Sequence, residues 1–310
     1  MEHIYDMIII GGGPGGYTAA LYAARAGLDS VVLEALVPGG QMAQAHQIDN
    51  YPGFEEGVAG YALADKMRQE AERFGARTVL TQVTGVDLAA DPKVVETDGG
   101  TYYAKTVALA TGATPRQLGV PGEREPTGRG VHYCADCDGM FYKGKTVVVV
   151  GGGNTAAQDA ALLSRVARKV ILVHRRDTLR ATQIYHRPLM EADNVEFRWN
   201  SVVEGFVQAE SGAITGVRLR DVNTGAQSVA DCDGVFVSIG REPASGLVQG
   251  QVELDEGGYV VAGEDTRTSL PGVYAVGDVR SKQVRQVVTA VSDGAAAVHA
   301  AEEYLGQGRG

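Results

Sequence analysis

The sequence predicts an α/β chain of two Rossmann-like, three-layer (ββα) dinucleotide-binding domains, one inserted into the other. Three observations predict it. A strand, glycine turn and helix near the start recur 140 positions later, Gly11 being matched by Gly151. The stretch just before the second copy carries Cys134-Ala135-Asp136-Cys137-Asp138-Gly139. After the second copy the chain returns to a first-domain theme at residues 271–279, as an interrupted domain would. The expected limits are 1–114 with 246–310 for the outer domain and 115–245 for the inserted one. A chain of 310 residues gives each an ordinary size and its own core.

Residues 7–10 form a short β-rich run. Gly11-Gly12-Gly13-Pro14-Gly15-Gly16 follows and satisfies GxGxxG at Gly11, Gly13 and Gly16. Residues 17–26 are an Ala-rich helical stretch stopped by Gly27. Strand, glycine turn and helix are the context the motif needs: a tight turn, close backbone approach to a pyrophosphate, and a helix packed on the strand. The next strand, residues 30–33, ends in Glu34, placed to accept from a ribose 2′-hydroxyl. Pro38-Gly39-Gly40-Gln41 and Ile48-Asp49-Asn50-Tyr51-Pro52-Gly53 read as loops. Their amides and the Gln41 and Asn50 side chains suit a ligand or, equally, surface turns. Residues 58–74 are an amphipathic helix with Leu63, Met67 and Phe74 on its apolar side. Strands are expected at 78–86 and 94–97, a hairpin turn at Asp98-Gly99-Gly100, and a buried strand at 106–109 that runs into Ala110-Thr111-Gly112. Pro115, Pro121, Gly122, Pro126 and Gly128 mark a connector.

The second copy begins with the β-branched run 146–150 and the GxGxxA turn Gly151-Gly152-Gly153-Asn154-Thr155-Ala156. A helix over 157–166 and a strand over 170–173 complete it. Glu34 lies 21 residues beyond Gly13, and 21 residues beyond Gly153 is His174, followed by Arg175, Arg176 and, further on, Arg180. A carboxylate repels a 2′-phosphate, whereas guanidinium groups bind one bidentately. The first copy therefore suits a free 2′-hydroxyl, as in FAD or NAD, and the second suits NADP(H). Residues 195–237 read as a β meander with turns at Glu210-Ser211-Gly212 and Asn223-Thr224-Gly225. Residues 235–239 echo the strand at 107–112. A strand ending in Gly277-Asp278 ahead of a helix at 287–304 lets the Asp reach a ribityl or ribose hydroxyl, while the helix N-terminus faces phosphate or flavin oxygens.

The formal charge of −10 argues against nucleic acid or an anionic membrane as partner. No apolar run reaches spanning length. The opening residues lack the basic region of a signal peptide, and three cysteines suit a reducing cytoplasm with one redox pair. Cysteines three apart can close a small disulfide across one helical turn. The partner thiol and the helix N-terminus lower the pKa of the first. A dithiol between two dinucleotide motifs reads as a hydride-to-disulfide relay. Cys232 is expected to be structural. A zinc site built from His132, Cys134 and Cys137 lacks a fourth ligand at the usual spacing.

Jointly, these motifs resemble one family over essentially the full length: the bacterial-type, low-molecular-weight thioredoxin reductases (pyridine nucleotide-disulfide oxidoreductases, class II). The features are Gly11-Gly12-Gly13-Pro14-Gly15, Gly39-Gly40-Gln41, Asn50-Tyr51-Pro52-Gly53, Ala110-Thr111-Gly112-Ala113, the CxxC with Asp-Gly, Gly151-Gly152-Gly153-Asn154-Thr155-Ala156, His174-Arg175-Arg176-Asp177 with Arg180, Gly277-Asp278 and Arg285-Gln286. The resemblance implies FAD in the first unit, NADPH in the second, a homodimer, and thioredoxin as the protein substrate. It implies that Cys137 is the flavin-proximal thiol, Cys134 the interchange thiol and Asp138 the general acid–base group. Arg175, Arg176 and Arg180, with His174 beside them, would hold the 2′-phosphate. The glycine-turn residues named above, Glu34, Gln41, Asn50, Thr111, Gly112, Gly277, Asp278, Arg285 and Gln286 would line the two cofactors. The family also implies a swivel of the inserted domain, with hinges placed at 112–126 and 240–246.

Two departures stand out. Gln158-Asp159 replaces a pair of acids common in relatives, and Asp136 replaces a common Thr, a charge that could raise a neighbouring thiol pKa. Peroxiredoxin-reductase relatives, which reduce another dithiol protein, carry an extra N-terminal module, whereas here the first strand begins at once. Ferredoxin–NADP reductase relatives lack the CxxC.

Overall fold

The computed structural model describes residues 3–45, 47–123, 126–127 and 129–307; Met1, Glu2 and Gly128, which entered the reading above, lie outside them. The chain divides into two compact units, residues 3–114 with 242–307 and residues 115–241. The first unit opens with β1 (Ile4–Ile10), α1 (Pro14–Arg25), β2 (Ser30–Glu34), α2 (Gly40–Ala43), α3 (Gly60–Arg73), β3 (Arg77–Leu80), β4 (Val83–Asp87), β5 (Lys93–Thr97) and β6 (Gly100–Leu109). The short strand β7 (Ala113–Pro115) leads to the second unit. That unit holds β8 (Val131–His132), α4 (Ala135–Asp138), β9 (Thr146–Val150), α5 (Asn154–Leu163), β10 (Lys169–Val173), α6 (His186–Met190), β11 (Val195–Arg198), β12 (Ser201–Gln208), β13 (Ile214–Asp221), β14 (Gln227–Asp231) and β15 (Gly234–Val237). The chain returns through β16 (Arg241–Pro243), paired with β7, to β17 (Val273–Ala275) and α7 (Val287–Gln307).

Each unit has three layers because its central parallel strands bury both faces. In the first, Met7, Ile9, Val32 and Ala108 face Tyr17, Ala19, Ala20, Ala297 and Ala301 of α1 and α7. The alternate residues Ile8, Ile10, Val31 and Leu33 face Leu88, Val95 and Val260. The sheet order is β3-β2-β1-β6-β5-β4, with β17 added against β6. In the second unit the parallel sheet β11-β10-β9-β15-β8 turns Val147, Val149, Val170 and Leu172 toward the Ala156, Ala160 and Leu163 side of α5. Its other face, with Val148, Val150, Ile171 and Val173, packs on Val203, Phe206, Val217 and Leu219 of the antiparallel sheet β12-β13-β14.

Small residues let α1 close on its neighbours. A Cβ on Gly16 would lie 2.0 Å from the Gly11 carbonyl oxygen, and one on Gly294 of α7 would lie 2.4 Å from the Gly15 carbonyl oxygen.

Several elements differ from the expectation. α1 and α5 start at the glycine turns themselves, three residues early, because the third glycine is the N-cap in extended conformation. In α1 a proline then occupies the first helical position, where its missing N–H costs nothing. Residues 40–43, read as loop, make the turn of helix α2. The run 78–86 breaks into two strands. At the break the Asp98 carboxylate accepts from Thr81 Oγ1 and from the Gln82 N–H. Only β12 to β14 form the meander, while β11 and β15 join the parallel sheet. α7 does not follow Asp278 directly, because a 3₁₀ turn at Gly277–Val279 and residues 280–286 intervene. Among the described residues no helix is long and apolar enough to cross a membrane.

Candidate functional site

In the first unit, β1, β6 and β17 are parallel neighbours, with Leu109 paired to both Ile10 and Ala275. Their C-terminal ends bring Gly11, Thr111-Gly112 and Gly277-Asp278 to one edge, where open α/β sheets take their ligands. Gly11 has φ +106°, and a Cβ there would lie 2.4 Å from the Ala110 carbonyl oxygen, so only glycine makes this turn. The Gly12 N–H donates to Glu34 Oε2 at 2.6 Å, and the Leu36 N–H donates to Oε1 at 3.1 Å. Gly13 caps the 12-residue α1 without a side-chain hydrogen bond, and nothing lies within 4 Å of where its Cβ would be. The Gly39 N–H donates to the Gly12 carbonyl at 2.7 Å, tying Gly40 and Gln41 to the turn. Asn50 Nδ2 donates to Gln286 Oε1 at 3.1 Å, joining two predicted residues 236 apart in sequence. Thr111 Oγ1 donates to the Ala244 carbonyl at 2.7 Å. Arg285 stacks its guanidinium over Tyr259, 4.0 Å from the ring centre.

Sequence reasoning missed Asp293 and Lys282. Asp293 lies buried on α7, where its Oδ2 accepts from the Gly277 N–H at 2.9 Å and from Lys282 Nζ at 2.7 Å. It thereby anchors the Gly277-Asp278 turn. The available signal was one acid on the buried stripe of an otherwise small-residue helix.

In the second unit a Cβ on Gly151 would lie 2.3 Å from the Ser238 carbonyl oxygen. Gly153 caps the 10-residue α5, again without a side-chain bond and again with open space beside it. His174 stands apart from the arginines it was grouped with. Its ring is buried beneath the turn, 2.2 Å from where a Gly152 Cβ would be, and its Nε2 has no hydrogen-bond partner among the described residues. Burial first, then Arg180, Arg175 and Arg176, push its pKa down, so it fills space as a neutral ring. Arg175, Arg176 and Arg180 are exposed, with no carboxylate partner among the described residues. The Arg180 and Ala181 N–H groups donate to the Gly152 carbonyl at 2.7 and 3.1 Å. Asn154 Oδ1 accepts from the Thr182 N–H at 2.7 Å, and Thr155 is exposed beside it. The arginine loop is therefore fastened to the glycine turn. On α5, Asp159 is buried and accepts from Ser238 Oγ at 2.5 Å. Burial pushes its carboxyl up to about 6, with Asp136 adding to the rise and Ser238 and Arg241 opposing it. Gln158 Nε2 donates to the Tyr185 hydroxyl at 2.6 Å.

Cys134 and Cys137 form a disulfide, with Cα atoms 5.3 Å apart. Cys134 is the N-cap of α4, and both residues are half-buried. The Asp138 N–H donates to the Cys134 carbonyl at 3.1 Å. Asp138 Oδ2 lies 2.9 Å from His132 Nδ1, and His132 Nε2 lies 2.7 Å from the Tyr142 hydroxyl. His132, weighed above as a zinc ligand, thus has both ring nitrogens hydrogen-bonded. Cys232 is free and buried, and burial pushes its thiol up to about 12, which leaves it unreactive near neutrality.

A dithiol beside an acid, in a chain with two uncapped, glycine-lined helix N-termini, is the equipment of nucleotide-driven disulfide chemistry. The profile of the pyridine nucleotide-disulphide oxidoreductases matches residues 5–294. The chain belongs to this family. Similar members include the thioredoxin reductase of Mycolicibacterium smegmatis, 47% identical over 308 residues, covering 99% of this chain and 98% of that protein. The thioredoxin reductase of Listeria monocytogenes is 44% identical over 304 residues, covering 98% and 95%. The crystal structure of thioredoxin reductase from Streptococcus pyogenes matches with a TM-score of 0.92 and 42% identity, covering 99% of this chain and 100% of that one. As in such family members, the fold is a pair of Rossmann-like dinucleotide-binding units.

Proposed function

We propose that this chain catalyses the reduction of oxidised thioredoxin by NADPH, using FAD and the Cys134–Cys137 disulfide. The overall balance is NADPH + H⁺ + thioredoxin disulfide → NADP⁺ + thioredoxin dithiol. The observation that carries the reading is the Cys134–Cys137 disulfide with Asp138 directly after it, in the unit whose glycine turn is flanked by exposed arginines.

The residues present fit both cofactors. The open spaces at Gly13 and Gly153, each of which a Cβ would begin to fill, face helix N-termini with no side-chain cap, where phosphate is favoured. FAD fits the first unit, with Glu34 at the adenosine ribose and Asp278, Thr111, Asn50, Arg285 and Gln286 along the rest. NADPH fits the second, with Asn154 and Thr155 near the phosphates and Arg175, Arg176 and Arg180 at the 2′-phosphate. Bound FAD supplies two-electron transfer from the nicotinamide to the disulfide.

The chain's own residues do the rest. Cys134, as thiolate, attacks the substrate disulfide and forms a mixed disulfide. Cys137 then attacks the Cys134 sulfur, restoring the Cys134–Cys137 bond and releasing the substrate dithiol. Asp138 supplies and takes up the protons that the two thiolates exchange. We place the protein in the cytoplasm as a homodimer, a location in keeping with its single redox pair.

Anaerobic titration of the purified yellow protein with NADPH tests the proposal. Uptake of about two equivalents, one for flavin and one for disulfide, is expected. Bleaching complete after one equivalent would remove the cysteines from the electron path.

A further inference from the structure

We propose that His132 is a positioning residue for Asp138, held by Tyr142 in the tautomer that donates from Nδ1 to the Asp138 carboxylate. The inference deepens the proposed function and rests on the reading of Asp138 as its acid–base group.

His132 sits on β8 with a buried ring. Phe236 stacks on it at 5.2 Å and 26°, and Tyr142 meets it edge-on at 5.2 Å and 74°. The ring cannot flip without leaving this slot. Its two nitrogens contact chemically different partners: the Asp138 carboxylate at 2.9 Å through Nδ1 and the Tyr142 phenol at 2.7 Å through Nε2. A neutral imidazole donates from one nitrogen and accepts at the other. The Tyr142 phenol is buried and pushed up to about 12, so it keeps its proton and has it to donate. If it donates to Nε2, the ring proton lies on Nδ1 and faces a carboxylate oxygen that can accept it. The opposite tautomer would turn the Tyr142 bond round, leaving the phenol proton unpaired in the core, and would set a bare Nδ1 against the carboxylate, losing the bond to Asp138. The network has one consistent assignment.

This assignment divides the labour between the carboxylate oxygens. Oδ2 is held by His132 through every protonation state of Asp138. Oδ1, without a hydrogen-bond partner among the described residues and on a side chain 27% exposed, is the oxygen that carries the working proton. One thiolate becomes one thiol for each proton given, and Nδ1–H stabilises the carboxylate that remains. The other charged or titratable groups around the pair are Asp136 on the same helix, Cys232 and Asp233 ahead of β15, and Lys145, whose Nζ lies 5.3 Å over the Tyr142 ring. None of them has a hydrogen bond to the His132 ring among the described residues.

Nitrogen NMR of ¹⁵N-histidine-labelled, oxidised holoprotein at pH 8 reads the tautomer directly. Protonated Nδ1 with bare Nε2 is expected for His132, whereas the Nε2–H form would overturn the proposal. His132→Phe and His132→Asn, each checked for full flavin content, supply the second measurement: iodoacetamide alkylation of the reduced enzyme against pH, read at each cysteine. Loss of the donor in His132→Phe leaves an unshared carboxylate beside Cys137. Its alkylation profile should then move to higher pH by about one unit or more. Asn places a donor near the Nδ1 position and should recover at least half of that displacement. Coincident profiles for wild type and His132→Phe would overturn the positioning role. Neither measurement uses NADPH or thioredoxin, so a failed reductase assay would count against the proposed function alone.

Discussion

Replacing Asp159 by Asn should stabilise the second unit, and by more as the pH rises. The wild-type carboxyl is buried on α5 and pushed from 3.8 up to about 6, mainly by burial. Below pH 4 the folded and unfolded states both hold the proton and the group contributes no difference. As the pH rises toward 6 the unfolded chain ionises freely while the folded chain resists, so stability is lost. Through the folded pKa and above, a displacement of about two units costs ~3 kcal/mol, of which about 1.4 kcal/mol falls between pH 5 and pH 8. Asn keeps an oxygen to accept from Ser238 Oγ and removes the titration. Urea unfolding followed by Trp199 fluorescence suits the test, because Trp199 is the only tryptophan of the chain, lies in the same unit and stacks on Phe197 at 4.7 Å. The stability difference between variant and wild type should widen by about 1.4 kcal/mol from pH 5 to pH 8. A difference constant to within ~0.5 kcal/mol over that range would show that Asp159 ionises as freely folded as unfolded, and would refute the reasoning.

Changing Arg175 and Arg176 together to Gln should weaken NADPH by ~2–4 kcal/mol, about 30- to 1,000-fold, and NADH far less, since two charge-assisted phosphate contacts go; equal losses in a binding titration would mean the arginines do not read the 2′-phosphate. Cys134→Ser should keep flavin reduction by NADPH in stopped flow and lose thioredoxin reduction, and unchanged thioredoxin turnover would overturn the role of Cys134 as interchange thiol. Glu34→Ala frees the Gly12 N–H and removes the ribose acceptor, so FAD should bind at least ~10-fold more weakly while NADPH affinity in the other unit holds; equal FAD affinity would remove Glu34 from the site. His174→Glu would put a carboxylate under the second turn among the three arginines, and the ratio of NADPH to NADH affinity should fall at least ~10-fold. An unaltered ratio would show that the residue following β10 does not influence nucleotide choice.

What the sequence made legible were features with a local steric or periodic cause. The turn at Gly11 admits no Cβ, and β9 is five β-branched residues buried on both faces, so each announces itself in a short window. The alternation along the parallel strands likewise marks a sheet covered on both sides. What escaped depends on contacts between distant, individually ordinary residues. Asp293 reaches Gly277 across 16 residues, Ser238 reaches Asp159 across 79, and His132 meets Phe236 only because β8 and β15 pair. No window of sequence contains both partners of such a contact. The helix starts were misplaced for a related reason: a glycine N-cap lacks the side-chain signal that Ser or Asp would give, so propensity alone moved each start into the following alanines.

The two copies of the glycine turn show how one backbone serves two chemistries. Gly12 and Gly152 are equivalent positions, as are Glu34 and His174. In the first copy the carboxylate closes the turn by accepting the Gly12 N–H, and it keeps negative charge at the strand end. In the second the same space is filled by an imidazole packed on Gly152, and the Gly152 carbonyl instead receives the Arg180 and Ala181 N–H groups. Exchanging an acceptor for a ring thus does two things at once. It removes the charge that would repel a phosphate, and it leaves the turn to be fastened from the other side by the segment that carries the arginines. Burial first, and then the same arginines, lower the pKa of His174, so the positive charge of the loop stays on the exposed guanidinium groups, where an anion can reach it. The two copies thus differ in how the turn is closed, by the half-buried Glu34 carboxylate in the first and by the buried His174 ring in the second.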